Sequence, residues 1–120
     1  MRQGKTNRVP KPRASGTWSE AAFFGFLRSG FRQMSIRWPP LSRVLLRVRI
    51  PYVGPNTRQK WSYQCEWCKG TFSRKEIHVD HIVPCGTLKT MNDIQPFVTK
   101  LFCEEDGLQV LCTTCHNWKH

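Results

Sequence analysis

A small α+β fold preceded by a basic helical extension is what this sequence predicts, on three observations. Two Cys-x-x-Cys pairs, Cys65/Cys68 and Cys112/Cys115, have the spacing of metal-binding knuckles. Between them His78-Val79-Asp80-His81-Ile82-Val83-Pro84 alternates as a half-buried strand does, ending at Pro84-Cys85-Gly86. Upstream, apolar residues recur at three- and four-residue steps, the mark of an amphipathic helix.

The 120 residues suffice for one small domain with an extension, not for two full domains. The net charge is +11, and its placement matters more than its size. Residues 1–60 hold thirteen Lys or Arg against one acid, Glu20, whereas residues 61–120 hold six against seven acids. So basic a half implies a polyanionic partner, nucleic acid or an anionic surface. No apolar run approaches a membrane span, and no apolar core of a secretory signal follows the basic N-terminus. The expected location is the cytoplasm, where paired Cys-x-x-Cys motifs serve as metal ligands more often than as disulfides.

Taken in order, residues 1–16 are rich in Lys, Arg, Gly, Pro and Ser, too polar to offset their ordering entropy, and read as a disordered basic arm. Residues 17–60 read as a helical extension and linker. Thr17-Trp18-Ser19-Glu20 has the spacing of a capping box, which predicts a helix start there. Phe23, Phe26, Leu27, Gly30, Phe31 and Met34 then form one apolar stripe, ended by Pro39-Pro40. Leu41 to Ile50 fits a helical face or a strand face; a short helix with Pro40 at its start is preferred. Arg43, Arg47 and Arg49 form a basic edge on it, phosphate-binding or merely solvated. Pro51 to Lys60, with Gly54-Pro55-Asn56, reads as a linker.

Residues 61–120 carry the chemistry. Four thiolates in tetrahedral array close a structural zinc site and leave no open position, so the ion stabilises and does not catalyse. A region this small is marginal on its core alone, and metal binding supplies folding free energy. The 43 residues between Cys68 and Cys112 leave room for a functional insert. Cys85 and Cys103 lack the paired spacing and read as buried or loop thiols.

Cys65-Glu66-Trp67-Cys68, His78-Val79-Asp80-His81-Ile82-Val83-Pro84 and Leu108-Gln109-Val110-Leu111-Cys112-Thr113-Thr114-Cys115-His116-Asn117-Trp118-Lys119 together closely resemble the HNH endonuclease family, over about residues 61–120. The four-cysteine form with a basic extension is similar to small HNH proteins of tailed bacteriophages. The resemblance implies a ββα-metal fold, its first strand carrying Asp80-His81 and its helix carrying His116. It implies that Asp80 and His116 hold one divalent cation, Mg²⁺, Mn²⁺ or Ni²⁺, and that His81 is the general base. It also implies DNA as substrate, a bacterial host cell as setting and a phage terminase as a possible partner; no small-molecule cofactor is called for. The residue types suit this chemistry, because a carboxylate and an imidazole leave a hard ion open to water and phosphate oxygen. A neutral imidazole takes a proton near neutral pH. His78 shares the parity of Asp80 and reads as a support for the ligands or an exposed side chain, with a further ligand or a phosphate contact as the alternatives. Lys119, one turn from His116, is a phosphate contact or a cation favoured by the helix C-terminus.

The sequence departs from the family where Gly107 stands in place of the middle Asn, which puts the rigidity of the loop in question; Asp106 is a possible substitute. The helix bearing His116 reaches His120 within one turn and is expected to rely on Cys112 and Cys115 for its register. Base-edge readers are not identifiable in the sequence.

Overall fold

The computed structural model describes residues 8–120, so residues 1–7 of the expected arm lie outside the described residues. Residues 13–18 close a turn in which the amides of Arg13 and Trp18 each donate to the other's carbonyl at 3.0 Å. Ala14 and Ser15 take φ of 52° and 54°, and Gly16 takes 83°. The turn is tied to the next helix by an Arg13–Glu20 ion pair, with the Arg13 guanidinium 4.5 Å from the Phe23 ring centroid.

Helix α1 (Glu20–Ser35) starts differently from the capping box expected at Thr17. Ser19 is its N-cap, accepting from the Ala22 amide at 3.1 Å. Thr17 is consumed by the preceding turn, donating to the Ala14 carbonyl at 2.6 Å, and Glu20 is held by Arg13. The buried stripe is also offset. Phe24, absent from the expected stripe, is 2% exposed, whereas Phe26 and Met34 are 59% and 53% exposed. The cause is the partner. Phe24, with Phe23, Leu27 and Phe31 beside it, packs on Phe97 and Leu101 of helix α3 (Ile94–Leu101) and on Cys85 and Leu88. Phe26 instead sets its ring against Trp18, with centroids 5.0 Å apart.

Helix α2 (Pro39–Val48) opens with Pro39 and Pro40, whose missing amide donors cost nothing in a first turn. The helix expected over Leu41 to Ile50 thus forms up to Val48. Arg49 and Ile50 leave it because they pair with Tyr63 and Ser62: strand β1 (Arg49–Pro51) is antiparallel to β2 (Trp61–Gln64), which pairs with β3 (Thr71–Phe72). Residues 52–60 form the loop joining β1 to β2, closed by the Tyr52 amide on the Lys60 carbonyl at 3.0 Å.

The second sheet pairs β4 (Ile77–His81) with β5 (Leu108–Cys112), antiparallel, placing Asp80 opposite Gln109 and His81 opposite Leu108. Strand β4 stops at His81, short of the expected Pro84, because β5 begins at Leu108 and no partner strand extends further. One bond continues past the end, from the Ile82 amide to the Gly107 carbonyl at 3.0 Å. Helix α4 (Thr113–Lys119) follows β5 directly. No helix among the described residues is long and apolar enough to cross a membrane.

The core beneath this sheet joins Val44 and Val48 of α2 to Ile77, Leu108, Val110, Leu111, Cys65 and Cys112. Arg47 fastens the same junction. Its guanidinium donates to the carbonyls of Leu108 at 2.8 Å and Glu105 at 3.2 Å and to Glu66 Oε1 at 2.8 Å, an oxygen that also accepts from the Val110 amide at 2.8 Å. Removing Arg47 strands these partners, so Arg47→Ala should lower stability by about 1–3 kcal/mol. Arg43→Ala, one turn earlier and with no side-chain hydrogen bond among the described residues, should change it by less than about 0.5 kcal/mol. Urea unfolding of the zinc-loaded chains measures both.

Candidate metal centres

The first centre is built by two tight turns. Cys65 ends the β2 side of a hairpin, with its amide bonded to the Gly70 carbonyl at 2.9 Å, and Lys69 takes φ 66° to bring the chain round. In each pair the second cysteine's amide points at the first one's sulfur, Cys68 to Cys65 and Cys115 to Cys112, both at 3.5 Å. The Sγ atoms of Cys65, Cys68, Cys112 and Cys115 all lie within 4.8 Å of one another, and all four cysteines are free. Four sulfurs about 2.3 Å from a tetrahedral ion lie about 3.8 Å apart; Cys68 and Cys112 are 3.9 Å apart. The cluster therefore fits a structural metal site. Its electrostatics lead the same way. Burial raises the Cys65 thiol, but amides of Cys68, Cys112 and Trp67 outweigh it and bring it down to about 6. Burial and the neighbouring sulfurs push Cys115 up to about 12. One thiolate forms readily here; four together need a cation.

The second centre surrounds Asp80, which is 8% exposed. Its two oxygens have different partners. Oδ2 accepts from the Lys119 ammonium and from Gln109 Nε2 at 3.1 Å. Oδ1 faces His120 Nε2 at 3.1 Å and His116 Nε2 at 4.0 Å. Burial pushes the Asp80 carboxyl up, but the hydrogen bonds from Lys119, His120 and Gln109 prevail and hold it below its ordinary range. His116 and His120, four residues apart at the end of the chain's last helix, place their ring centroids 4.7 Å apart on one side. Ligand atoms about 2.1 Å from one ion lie roughly 3–4.2 Å apart, so the spacings around Oδ1 suit a divalent cation with little movement. Three such ligands would leave further positions on an ion open.

Gln109 is oriented by its other partner. Its Oε1 accepts from Trp67 Nε1 at 3.1 Å, and an indole only donates, so the amide must present its NH₂ group to Asp80. His81, on the opposite face of β4, has Nε2 2.9 Å from the Leu101 carbonyl. A carbonyl only accepts, so Nε2 carries a proton, and the tautomer this contact selects for the neutral ring has its lone pair on Nδ1.

His78 stacks on His116 with centroids 4.7 Å apart and meets the Thr113 hydroxyl at 3.0 Å, so it supports the His116 ring from behind. Burial, then the charges of His116 and Arg74, lower its pKa and favour the neutral ring. Lys119 lies inside the site, on Asp80 and, at 2.6 Å, on the His81 carbonyl. Of the basic edge, Arg47 is taken up by the α2 junction, Arg49 lies 3.7 Å over the Trp61 ring centroid and Arg43 faces solvent. Gly107 is a matter of space: a Cβ there would come within 2.8 Å of Cys103 Sγ, so the loop admits no Asn side chain without moving Cys103. Asp106 sits in the single helical turn at Glu105–Gly107, with no hydrogen bond from its side chain among the described residues.

Sequence reasoning missed His120, although its four-residue step from His116 was visible. It also missed Gln109, whose role depends on a strand register that periodicity alone does not set.

Comparison with family models, curated proteins and solved structures found no match to this chain.

Cys65→Ser and Cys112→Ser should each release the metal and unfold the C-terminal half. Native mass spectrometry should find one zinc in the parent chain and none in either variant.

Proposed function

We propose that this chain is a metal-dependent DNA endonuclease of the HNH kind, with β4, β5 and α4 as its ββα-metal unit and zinc in the four-cysteine cluster. The observation that carries the reading is the convergence of potential ligand atoms of Asp80, His116 and His120 within 4.8 Å of one another, with His81, next to Asp80 in sequence, held through Nε2 by the Leu101 carbonyl. A divalent cation on those three residues, Mg²⁺, Mn²⁺ or Ni²⁺, would supply positive charge against the developing charge on the 3′-oxygen.

The chain's own groups do the rest. His81 Nδ1 takes a proton from the attacking water, and the Leu101 carbonyl fixes the ring that does so. The water oxygen bonds to phosphorus, the bond to the 3′-oxygen breaks, and the strand is left with a 5′-phosphate and a 3′-hydroxyl protonated from solvent. Lys119 and Gln109 occupy Asp80 Oδ2, so Oδ1 alone remains to hold the ion. Supporting a polyanionic substrate, Arg28 and Arg32 stand one turn apart with their guanidiniums 5.2 and 6.0 Å from the Phe97 centroid, and neither has a salt bridge among the described residues. Like charges at that spacing cost helix stability unless an anion offsets them. The setting that the resemblance implies is DNA processing or packaging by a phage in the bacterial cytoplasm.

One observation favours a second reading. The Lys119 ammonium already neutralises Asp80, as it would in a zinc-stabilised nucleic-acid-binding module without catalysis or a packaging factor active only beside a terminase.

Zinc-loaded protein given Mg²⁺ or Mn²⁺ should convert supercoiled plasmid to open-circular or linear DNA. His81→Ala should lower the rate at least a hundredfold, while zinc content and DNA affinity stay at parent values. Cleavage by His81→Ala at the parent rate would remove His81 from the mechanism. Titration calorimetry should find Mn²⁺ affinity reduced at least tenfold in Asp80→Ala, His116→Ala and His120→Ala alike.

A further inference from the structure

Trp118 is the most exposed tryptophan beside either centre, with 82% of its surface open, and Trp67 next to it is 42% open. Their ring centroids are 6.2 Å apart at 74°. Each lies between metal-site residues in the chain: Trp67 between Cys65 and Cys68, Trp118 between His116 and His120. Burying an indole is among the larger apolar gains open to a side chain, yet this pair faces outward. The pair is also registered to the site, since the Trp67 indole holds Gln109 and Gln109 holds Asp80, two hydrogen bonds from ring to carboxylate.

We propose that Trp67 and Trp118 form a stacking platform for an unpaired nucleobase, so that the preferred substrate is a strand carrying an unpaired base next to the bond to be cut. The proposal rests on the reading of the Asp80 group as the hydrolytic centre. Charge selects the occupant. Glu66, the acid beside Trp67, is neutralised by Arg47, and Lys69 at the tip of the same turn faces solvent, which favours an anionic ligand with a π face. A nucleotide has both. Inside a duplex each base face is covered by its neighbours, so a tryptophan can stack only on a base that is single-stranded, flapped or extruded. The Trp67–Gln109–Asp80 path holds that base within one or two nucleotides of a phosphate at Asp80.

The test uses the full zinc-loaded chain without Mg²⁺ or Mn²⁺, a single-stranded 12-nucleotide probe and a duplex of the same sequence. Binding is read by anisotropy and by quenching of tryptophan fluorescence. Trp118→Ala should weaken single-strand binding roughly ten- to a hundredfold and remove most of the quenching. Trp118→Phe should recover most of that affinity, and duplex affinity should change less than about threefold in either variant. Because Trp118 is so exposed, zinc content equal to the parent's is expected and certifies the folded state. Equal effects on both probes, no effect on either, or quenching by an uncharged apolar peptide but not by the single strand would overturn the platform. Cleavage of a strand carrying an unpaired base that needs His81 but proceeds equally well in Trp118→Ala refutes the platform alone. Trp118-dependent quenching in a chain that cuts no DNA refutes the hydrolytic reading alone.

Discussion

Four sulfurs drawn together from two ends of the domain are the constraint on which the rest depends. Cys65 and Cys112 are buried in the main core, and the two turns that carry the pairs also end a strand on one side and begin a helix on the other. Without a cation the cluster opposes itself, since one thiolate makes the next harder to form. Metal binding therefore couples directly to folding. The core it reinforces is small, and α2 is built into the same body through Val44 and Val48 in the core and Arg47 on the Leu108 carbonyl.

The Asp80 centre inherits its order from that staple. Helix α4 has seven residues, too few to persist alone, and its first turn is set by the Cys112 sulfur accepting from the Cys115 amide. One turn further along stand His116, Lys119 and His120, which reach back to Asp80 on β4. A second connection runs from the first cysteine pair through Trp67 and Gln109 to the same carboxylate. The two centres are thus joined by two routes, one along α4 and one across β5. The loop between the strands is closed by a backbone bond from Ile82 to Gly107, and the small side of Gly107 lets Cys103 approach.

What could be read beforehand was whatever short-range chemistry dictates. The cysteine spacing located the four-cysteine cluster, alternation located the centre of β4, and Pro39-Pro40 opened α2 just after α1 closes at Ser35. What escaped was set by neighbours distant in sequence. Phe24 replaced Phe26 as the buried ring because α3 lies on that side of α1. Helix α3 itself was not anticipated, though Thr90 and Asp93 form a capping box before Ile94, Phe97 and Leu101 at helical steps. Arg47 looked like its neighbours Arg43 and Arg49 until the carbonyls of Glu105 and Leu108 were placed beside it. Gln109 acquires meaning only once the register puts it opposite Asp80.

The central claim is that one ion staples the fold while a second, hydrolytic ion is held separately by Asp80, His116 and His120. A crystal structure of the zinc-loaded chain soaked in Mn²⁺, with anomalous data at the zinc and manganese edges, tests it most directly. The account predicts zinc among the four sulfurs and manganese bonded to Asp80 Oδ1, His116 Nε2 and His120 Nε2, with Lys119 still on Oδ2. Zinc present with no manganese peak at Asp80, and Lys119 alone neutralising that carboxylate, would contradict it.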